Sequence, residues 1–325
     1  MQGGGESIKR ARAGSVWRGL TCLFLASLMG TGAAQSPAPA IVTVDPLTIA
    51  DDDFARNRDP ETWRDLTVER IVFTEAGATW RLWRIINLAH PDGPLWEVMH
   101  DNENATFAAA LVAVRSWGGV VMVVDTGPVD TRYGARFNSE VAGTPIDPNR
   151  NFSDARPSYV AHMLADLGDP PRLIVALHTN APDFDPRLSD CPSARPGRGA
   201  ISVGLCNDRY HPRAAQNRRW PFDDNDSLAL VPYLATRDRS SAPCGRALSA
   251  ADYNLVFERV AISDGSLSNY AVQHGLAYVN IETEERGSAV AGIALARDRL
   301  VDMIDGVMAR CGPVAGLALK APRGR

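Results

Sequence analysis

The sequence predicts an α/β domain built on one mixed, mostly parallel twisted sheet with helices on both faces. From about residue 62, strand-like segments alternate with helix-like segments, which favours such a sheet. Two of the strand-like segments, residues 120–124 and 173–177, are apolar throughout, as is typical of parallel strands that are buried on both faces. The composition agrees, since 45% of the 325 residues are hydrophobic and 22% are charged, as in a globular protein.

The individual elements follow from the spacing of apolar residues. Alternation or continuous apolar runs predict six strands, over residues 68–73, 80–85, 95–99, 120–124, 173–177 and 276–281. Helical spacing predicts four helices, over residues 105–117, 158–167, 266–274 and 288–308. The first of these helices is expected to end at Gly118-Gly119, because glycine terminates helices.

The first 34 residues predict a signal peptide. A basic start is followed by an apolar run over residues 20–29 and by small residues up to Ala34, where we expect cleavage. The apolar run is shorter than the roughly 20 residues of a membrane span, so we expect a secreted or periplasmic protein with no stable membrane span after cleavage. An uncleaved N-terminal anchor is the alternative. Residues 35–61 are expected to form a linker or extended lead-in to a catalytic domain over residues 62–325.

Residues 181–250 interrupt the alternation and are expected to form a disulfide-pinned insertion of loops. This segment is rich in Arg, Asp, Asn, Pro and Ser, and it contains three of the four cysteines that follow the signal. An even number of cysteines in an exported chain suggests two disulfides, with free thiols as the alternative. The three possible pairings of these four cysteines remain open. The four are Cys191, Cys206, Cys244 and Cys311.

The charge of the chain excludes one class of partner. The net charge of −4 becomes more negative when the basic signal segment is removed. Nucleic-acid binding requires a basic stripe or patch, so we expect no nucleic-acid partner.

Polar residues with metal-binding side chains follow three of the expected strands. His100 directly follows the third strand, with Glu103 three residues later, and His178 and Glu282 directly follow the fifth and sixth. Functional residues of open α/β sheets gather at the carboxyl ends of the strands. We therefore expect these four side chains to lie together.

Two histidines and one glutamate, with one position left for water, are the ligands typical of a catalytic zinc ion. Zinc lowers the pKa of its bound water to about 7 and polarises a carbonyl group. A free carboxylate beside that water can serve as the general base. The pattern predicts that His100, Glu103 and His178 bind zinc and that Glu282 is the base. Taken singly, a histidine such as His178 is equally typical of a hydrogen-bonded residue at a strand end. A glutamate such as Glu282 is equally typical of a solvated acid in a turn.

A further motif, Asp147-Pro-Asn-Arg-Asn-Phe152, lies between the first two ligands and the third. Together with the ordered His, Glu, His and Glu positions, it makes the sequence resemble the zinc carboxypeptidase family over roughly residues 95–310. The resemblance implies that family's fold and its zinc cofactor.

The same resemblance implies roles for the substrate-binding residues. Asn149 and Arg150 would grip the terminal carboxylate of the substrate, which suits the bidentate geometry of arginine. Arg136 would stabilise the oxyanion, and Leu267 would lie at the side-chain pocket. A tyrosine that many members carry near the substrate is absent, because its place falls near Val260. Pro148 and Thr179-Asn180 also depart from the family pattern.

The sequence therefore predicts a secreted zinc-dependent hydrolase that cleaves an amide bond next to a free C-terminal carboxylate. Its expected substrates are extracellular peptides or cell-wall stem peptides. One alternative is a zinc-dependent deacylase of N-acyl amino acids, which would share the ligand set. Another, of a different class, is a pseudoenzyme that binds peptides without cutting them.

Overall fold

The computed structural model describes residues 39–126, 134–180 and 208–316. The expected signal peptide lies outside the described residues. Ten strands in the described part form one sheet: β1 (Ala40–Val44), β2 (Leu66–Glu75), β3 (Ala78–Asn87), β4 (Leu95–Val98), β5 (Val120–Asp125), β6 (Ile174–Asn180), β7 (Tyr210–Arg213), β8 (Leu228–Leu234), β9 (Leu255–Val260) and β10 (Tyr278–Glu284). Its α-helices are α1 (Asp52–Arg56), α2 (Asn104–Trp117), α3 (Pro157–Met163), α4 (Gly245–Ala250), α5 (Leu267–Gln273) and α6 (Val290–Cys311).

The sheet has the strand order β1-β2-β3-β5-β4-β6-β10-β8-β9-β7. Its four central strands, β5, β4, β6 and β10, are parallel to one another. Strands β1 to β3 and β5 form antiparallel pairs on one side. On the other side β8 is antiparallel to β10 and parallel to β9, and β7 is antiparallel to β9. The sheet is mixed, as predicted, although antiparallel flanks make its parallel part smaller than expected.

Helices cover both faces of the sheet, as the sequence predicts. On one face, α2 and α6 pack over the central strands through side chains such as Phe107, Leu111 and Leu300. On the opposite face, α3 and α5 contribute Tyr159 and Leu267 to a second core cluster. The central strands are therefore buried on both sides, which explains their continuous apolar runs.

The expectation of a linker over residues 35–61 is wrong for its described part. Strand β1 pairs with β2, and Phe54 of α1 is fully buried. Its ring stacks on Trp63 and packs against Phe107, with centroid distances of 5.3 and 5.2 Å. A few large apolar residues thus anchor a segment whose Pro, Ala and Asp content suggested a linker.

The expectation of loops over residues 181–250 is also wrong for its described part, residues 208–250. This part contains β7, β8 and α4, and β8 lies inside the sheet between β10 and β9. Strand β8 is largely buried despite Pro232. Pro232 lies within the parallel pair that β8 forms with β9. The strand was not predicted because it is short and its flanking sequence is polar.

One of the expected disulfides lies within the described residues. It joins Cys244, next to α4, to Cys311 at the end of α6, with a Cα–Cα distance of 5.1 Å. Cys191 and Cys206 lie outside the described residues, so a second disulfide stays a prediction. Among the described helices, none has the length and apolar character needed to cross a bilayer.

Candidate metal centre

The parallel strands β4, β6 and β10 bring the predicted residues to one edge of the sheet. The register pairs Glu282 on β10 directly with His178 on β6. His100 follows β4, the neighbour of β6 on its other side. Glu103 lies at the residue immediately before α2, one turn of chain beyond His100. The fold therefore gathers all four side chains, although they are far apart in sequence.

Three of these side chains form a compact group of potential metal ligands. One ligand atom each from His100, Glu103 and His178 lies within 4.8 Å of the others. Nδ1 of His100 lies 2.8 Å from a Glu103 oxygen and 3.2 Å from Nδ1 of His178. All three residues are buried. Two ring nitrogens and a carboxylate thus converge on one point, out of contact with bulk water.

Asp147 fixes the orientation of His100. Its Oδ1 lies 3.0 Å from Nε2 of His100 and also accepts a hydrogen bond from the Asn149 N–H. With the Nε2 proton donated to Asp147, Nδ1 of His100 is left with its lone pair toward Glu103 and His178. Metal-binding histidines almost always donate their other ring N–H to a carboxylate, carbonyl or water in this way. Asp147 thus prepares His100 as a ligand.

The charges around the group favour an ionised Glu103. Burial raises the pKa of Glu103, but the imidazoles of His178 and His100 outweigh it and hold the pKa well below its usual range. Its Oε2 also accepts the Thr179 N–H at 2.8 Å. Burial lowers the pKa of His100. Its hydrogen bonds with Asp147 and Glu103 raise the pKa by more than burial lowers it, so the net shift is upward.

Glu282 stands beside the group without belonging to it. Its Oε1 accepts a 2.7 Å hydrogen bond from the side-chain amide of Asn280. Burial raises the pKa of Glu282 above its ordinary value, and the negative charge of Glu103 adds to the shift while His178 opposes it. A carboxylate with a raised pKa, next to a metal-binding group, has the properties of a general base that works near neutral pH.

Arg136 lies at the rim of the same group. Its Nη1 donates to Oε1 of Glu103 at 2.9 Å, and its Nη2 lies 3.9 Å from Asp147. The side chain keeps 42% of its surface exposed. The structure therefore places Arg136 next to the ligands, where it faces both solvent and the buried carboxylates.

The structure places the remaining predicted residues along the adjoining loop. Asn149 accepts the Leu267 N–H through Oδ1 at 3.1 Å. Arg150 is 46% exposed, and its Nε lies 3.7 Å from Asp264. Leu267 has no exposed surface and belongs to the core, so the structure places its side chain away from any open surface.

Sequence reasoning missed the supporting groups. Asp147 was visible in the motif, but its hydrogen bond to His100 depends on two loops that only the fold brings together. Asn280 carried a signal, since it lies two residues before Glu282 and therefore on the same face of β10. The Thr179 N–H is a backbone group, which no side-chain pattern reveals.

The residues present fit a zinc ion. Two imidazoles and one carboxylate are a donor set that zinc takes in catalytic sites. The tautomer that Asp147 imposes on His100 leaves the correct nitrogen free for a cation.

Comparisons with known proteins find only distant likenesses. No protein-family model matches the chain, and no curated protein matches it. An aspartoacylase family protein from Mesorhizobium loti is 12% identical, with a TM-score of 0.40 over 89% of this chain and 72% of that chain. The succinylglutamate desuccinylase from Chromobacterium violaceum is 13% identical, with a TM-score of 0.36 over 75% and 70%.

A Shewanella denitrificans protein, provisionally named a metallopeptidase, is 14% identical, with a TM-score of 0.41 over 86% of this chain and 97% of that chain. These likenesses all have TM-scores below 0.5. They do not assign the chain to a family.

Proposed function

We propose that the protein is a zinc-dependent hydrolase that cleaves an amide bond next to a free carboxylate. The observation that carries the proposal is the buried His100–Glu103–His178 group with Glu282 in register beside His178. A metal-binding triad with a separate carboxylate at its side is the minimum set for attack by water on an amide. A purely structural zinc site would need no such neighbouring base.

The residues would divide the reaction between them. A zinc ion bound by His100, Glu103 and His178 would act as a Lewis acid and make water a better nucleophile at neutral pH. Glu282 accepts the proton of the attacking water and delivers it to the leaving nitrogen. Arg136, at the rim, meets the negative charge that develops on the carbonyl oxygen. Its ion pair with Glu103 would then have to be exchanged for one with the substrate.

Arg150 and Asn149 are proposed to dock the substrate carboxylate. Arg150 is half-exposed and faces Asp264 only at 3.7 Å, so its guanidinium can take a carboxylate as a bidentate partner. Oδ1 of Asn149 is bonded to the chain, which leaves its amide nitrogen to donate. Every substrate recognised this way contains an N-acylated amino acid with a free carboxylate.

Two substrate classes satisfy this chemistry. Peptides, including cell-wall stem peptides, present the unit at their C-terminus, and N-acyl amino acids present it with a short acyl group. We propose the peptide class because the N-terminal segment predicts export to a compartment where peptides are the available substrates. The deacylase is the second candidate, since the same zinc group and carboxylate site serve it equally.

The decisive experiment compares matched substrates on the zinc-loaded protein. We expect hydrolysis of peptides with a free C-terminus, none of the same peptides with an amidated C-terminus, and loss of activity with a chelator. Faster turnover of N-acetyl or N-succinyl amino acids than of peptides would favour the deacylase. Chelator-resistant cleavage would overturn the proposal, and zinc binding with no turnover of either class would support a non-catalytic peptide binder.

We also propose that the protein is secreted or periplasmic after cleavage behind Ala34. Expression with the complete N-terminus should yield a mature protein that begins at Gln35, as measured by N-terminal sequencing of the exported fraction. A retained N-terminus in a membrane fraction would instead support an uncleaved anchor.

A further inference from the structure

A row of three side chains lies beneath the candidate metal centre, on the same face of the sheet. The register pairs Ala176 on β6 with Glu97 on β4 and with Asn280 on β10. Two residues further along the strands, and therefore on the same face, His178 pairs with Glu282. We call Glu97, Ala176 and Asn280 the supporting row.

The two polar members of the supporting row are buried and incompletely hydrogen-bonded. Glu97 has no exposed surface and Asn280 is 6% exposed. Neither carboxylate oxygen of Glu97, nor Oδ1 of Asn280, has a hydrogen-bond partner among the described residues. The amide nitrogen of Asn280, in contrast, donates to Glu282. A buried polar atom without a partner is costly, so native structures rarely keep one.

Geometry allows Glu97 and Asn280 to satisfy each other. Neighbouring strands lie about 4.8 Å apart, so the two backbones are about 10 Å apart with only the methyl group of Ala176 between them. A glutamate and an asparagine side chain that lean toward each other can close this gap directly or through one buried water. A direct hydrogen bond needs a proton on Glu97, because Oδ1 of Asn280 is an acceptor.

The surroundings of Glu97 favour the protonated form. Burial raises its pKa well above the ordinary value, and the negative charge of Asp166 raises it further. Two buried phenols, Tyr159 and Tyr278, are among the described ionisable side chains whose pKa values Glu97 raises. Neither phenol is a cation that would hold a carboxylate ionised, so a neutral acid is the less costly state.

We propose that Asn280 is a positioning residue that orients the Glu282 carboxylate, and that Glu97 holds the Asn280 amide in place from below. This inference rests on the proposed function for the role of Glu282, but the Glu97–Asn280 contact stands apart from it. The amide would present its nitrogen to Glu282 because its oxygen is engaged by the Glu97 hydroxyl. The supporting row would thus fix the rotamer of the base.

Infrared difference spectroscopy tests the contact without relying on catalysis. In the zinc-loaded protein at neutral pH, Glu97→Gln should remove one C=O stretching band of a protonated carboxylic acid. Asn280→Ala should shift that band to higher frequency, because the acid loses its acceptor. If Glu97→Gln removes only carboxylate bands, or Asn280→Ala leaves the acid band unmoved, the proposed contact is overturned.

Kinetics test the consequence for the base. Asn280→Ala should lower kcat about 10- to 100-fold with KM and zinc content within about twofold, the usual cost of losing a group that orients an active-site residue. Glu97→Leu should lower kcat in the same direction, and Glu97→Gln, whose amide can still donate, should restore most of it. Asn87→Ala serves as the control, because Asn87 is a buried asparagine bonded to Val114 O, remote from the site.

The outcomes separate this inference from the proposed function. A wild-type protein that hydrolyses no amide would count against the proposed function, while the infrared bands would still decide whether the contact exists. An active wild type whose kcat is insensitive to both Asn280→Ala and Glu97→Leu would overturn the positioning role. If Asn280→Ala lowered stability but left kcat unchanged, as we expect for Asn87→Ala, Asn280 would have only a structural role.

Discussion

Two regions of the molecule bury carboxylates, and they satisfy them in different ways. Glu258, on β9, accepts hydrogen bonds from Ser268, Asn269 and Arg209 at 2.7 to 2.8 Å. These partners are fixed donors. Glu103, in the candidate metal centre, accepts from Arg136 and from the Thr179 N–H, and it also lies against ring nitrogens of His100 and His178. We call the first region the Glu258 network.

The difference separates a structural role from a functional one. In the Glu258 network the described partners of the carboxylate are hydrogen-bond donors, whereas the candidate metal centre brings two ring nitrogens and a carboxylate oxygen to within 4.8 Å of one another, as a set of metal ligands would be. Buried ionic groups of the first kind hold elements together, here β9 and α5. Groups of the second kind are expected where binding or chemistry occurs. Three substitutions test this distinction, beginning with the largest expected effect, and a fourth tests pH dependence elsewhere in the molecule.

Removal of the Glu282 charge should separate activity from stability most clearly. Glu282→Gln should lower kcat by about a thousandfold, within the range that general acid–base groups contribute. Zinc content should not change, because Glu282 is not one of the three ligands. The melting temperature should stay the same or rise, since burial already disfavours the ionised carboxylate. Steady-state kinetics, zinc analysis and calorimetry on one preparation measure all three quantities.

Glu284→Gln is the matched control. Glu284 lies on the same strand and pairs with Arg286 near the surface, so its substitution should leave kcat within about threefold. A fall in kcat as large as that of Glu282→Gln would argue that β10 as a whole, rather than Glu282, is sensitive to lost charge.

The Glu258 network should respond in the opposite manner. Glu258→Gln keeps the shape of the side chain but removes the more buried of the two carboxylates that pair with Arg209, which keeps Asp264. Breaking a buried pair typically costs about 3–5 kcal/mol. Because Arg209 is about a third exposed and keeps one carboxylate partner, we expect less than this, about 2–3 kcal/mol. Urea denaturation at neutral pH measures this loss of unfolding free energy.

Zinc content is the discriminating readout for Glu258→Gln. We expect it to be unchanged in the folded protein, because Glu258 contacts none of the candidate ligands. If Glu258→Gln lost zinc without losing stability, the proposed distinction between the two regions would be wrong.

The part of the molecule that holds the site was the part most visible in the sequence. Strands β4, β6 and β10 are short apolar runs that end in His or Glu, and both features follow from burial and from the geometry of parallel strands. Residue types and order therefore sufficed to predict that His100, His178 and Glu282 would meet. The structure places His100 against His178 and sets Glu282 in register with His178, and the roles of these residues stay proposals.

The flanks of the sheet could not be predicted in the same way. Strand β8 lies on one flank, between β10 and β9, and it contains Pro232 and is surrounded by polar sequence, so its local composition favoured a loop. Strand β1 and α1 depend on long-range packing of Phe54, which no local pattern encodes. The same limit hid the contact of Asp147 with His100, since hydrogen bonds between distant segments are set by the fold.

Asp147 tests whether the candidate metal centre depends on a carboxylate outside the ligand set. Asp147→Asn can keep an oxygen near Nε2 of His100 but loses the negative charge that favours the required tautomer. We expect zinc affinity to fall about 10- to 100-fold, the usual cost of altering a group that orients a metal-binding histidine. Competition with a chelating dye measures the affinity.

Asp154→Asn is the control for Asp147, since Asp154 lies on the same loop and its side chain is 86% exposed. Its zinc affinity should match that of the wild type. Equal affinity for the Asp147→Asn protein would mean that His100 needs no such partner, and would weaken the comparison between the two regions.

Asp252 gives the smallest expected effect and a test of pH dependence outside both regions. Its oxygens accept the N–H groups of Gln216 and Asn217, each at 2.8 Å, and these bonds lower its pKa below the ordinary value. Folding therefore favours the ionised form. The stabilisation is present above the unfolded pKa and is lost as the pH falls through the lower, folded pKa.

Asp252→Asn should accordingly cost less than about 1 kcal/mol at neutral pH. Asparagine tolerates the positive φ of 61° at this position, so backbone strain should not contribute. The difference in unfolding free energy from the wild type should shrink as the pH falls below about 4. Urea denaturation across this pH range measures it, and a difference that grows toward acid would mean that the carboxylate is not what these two N–H groups stabilise.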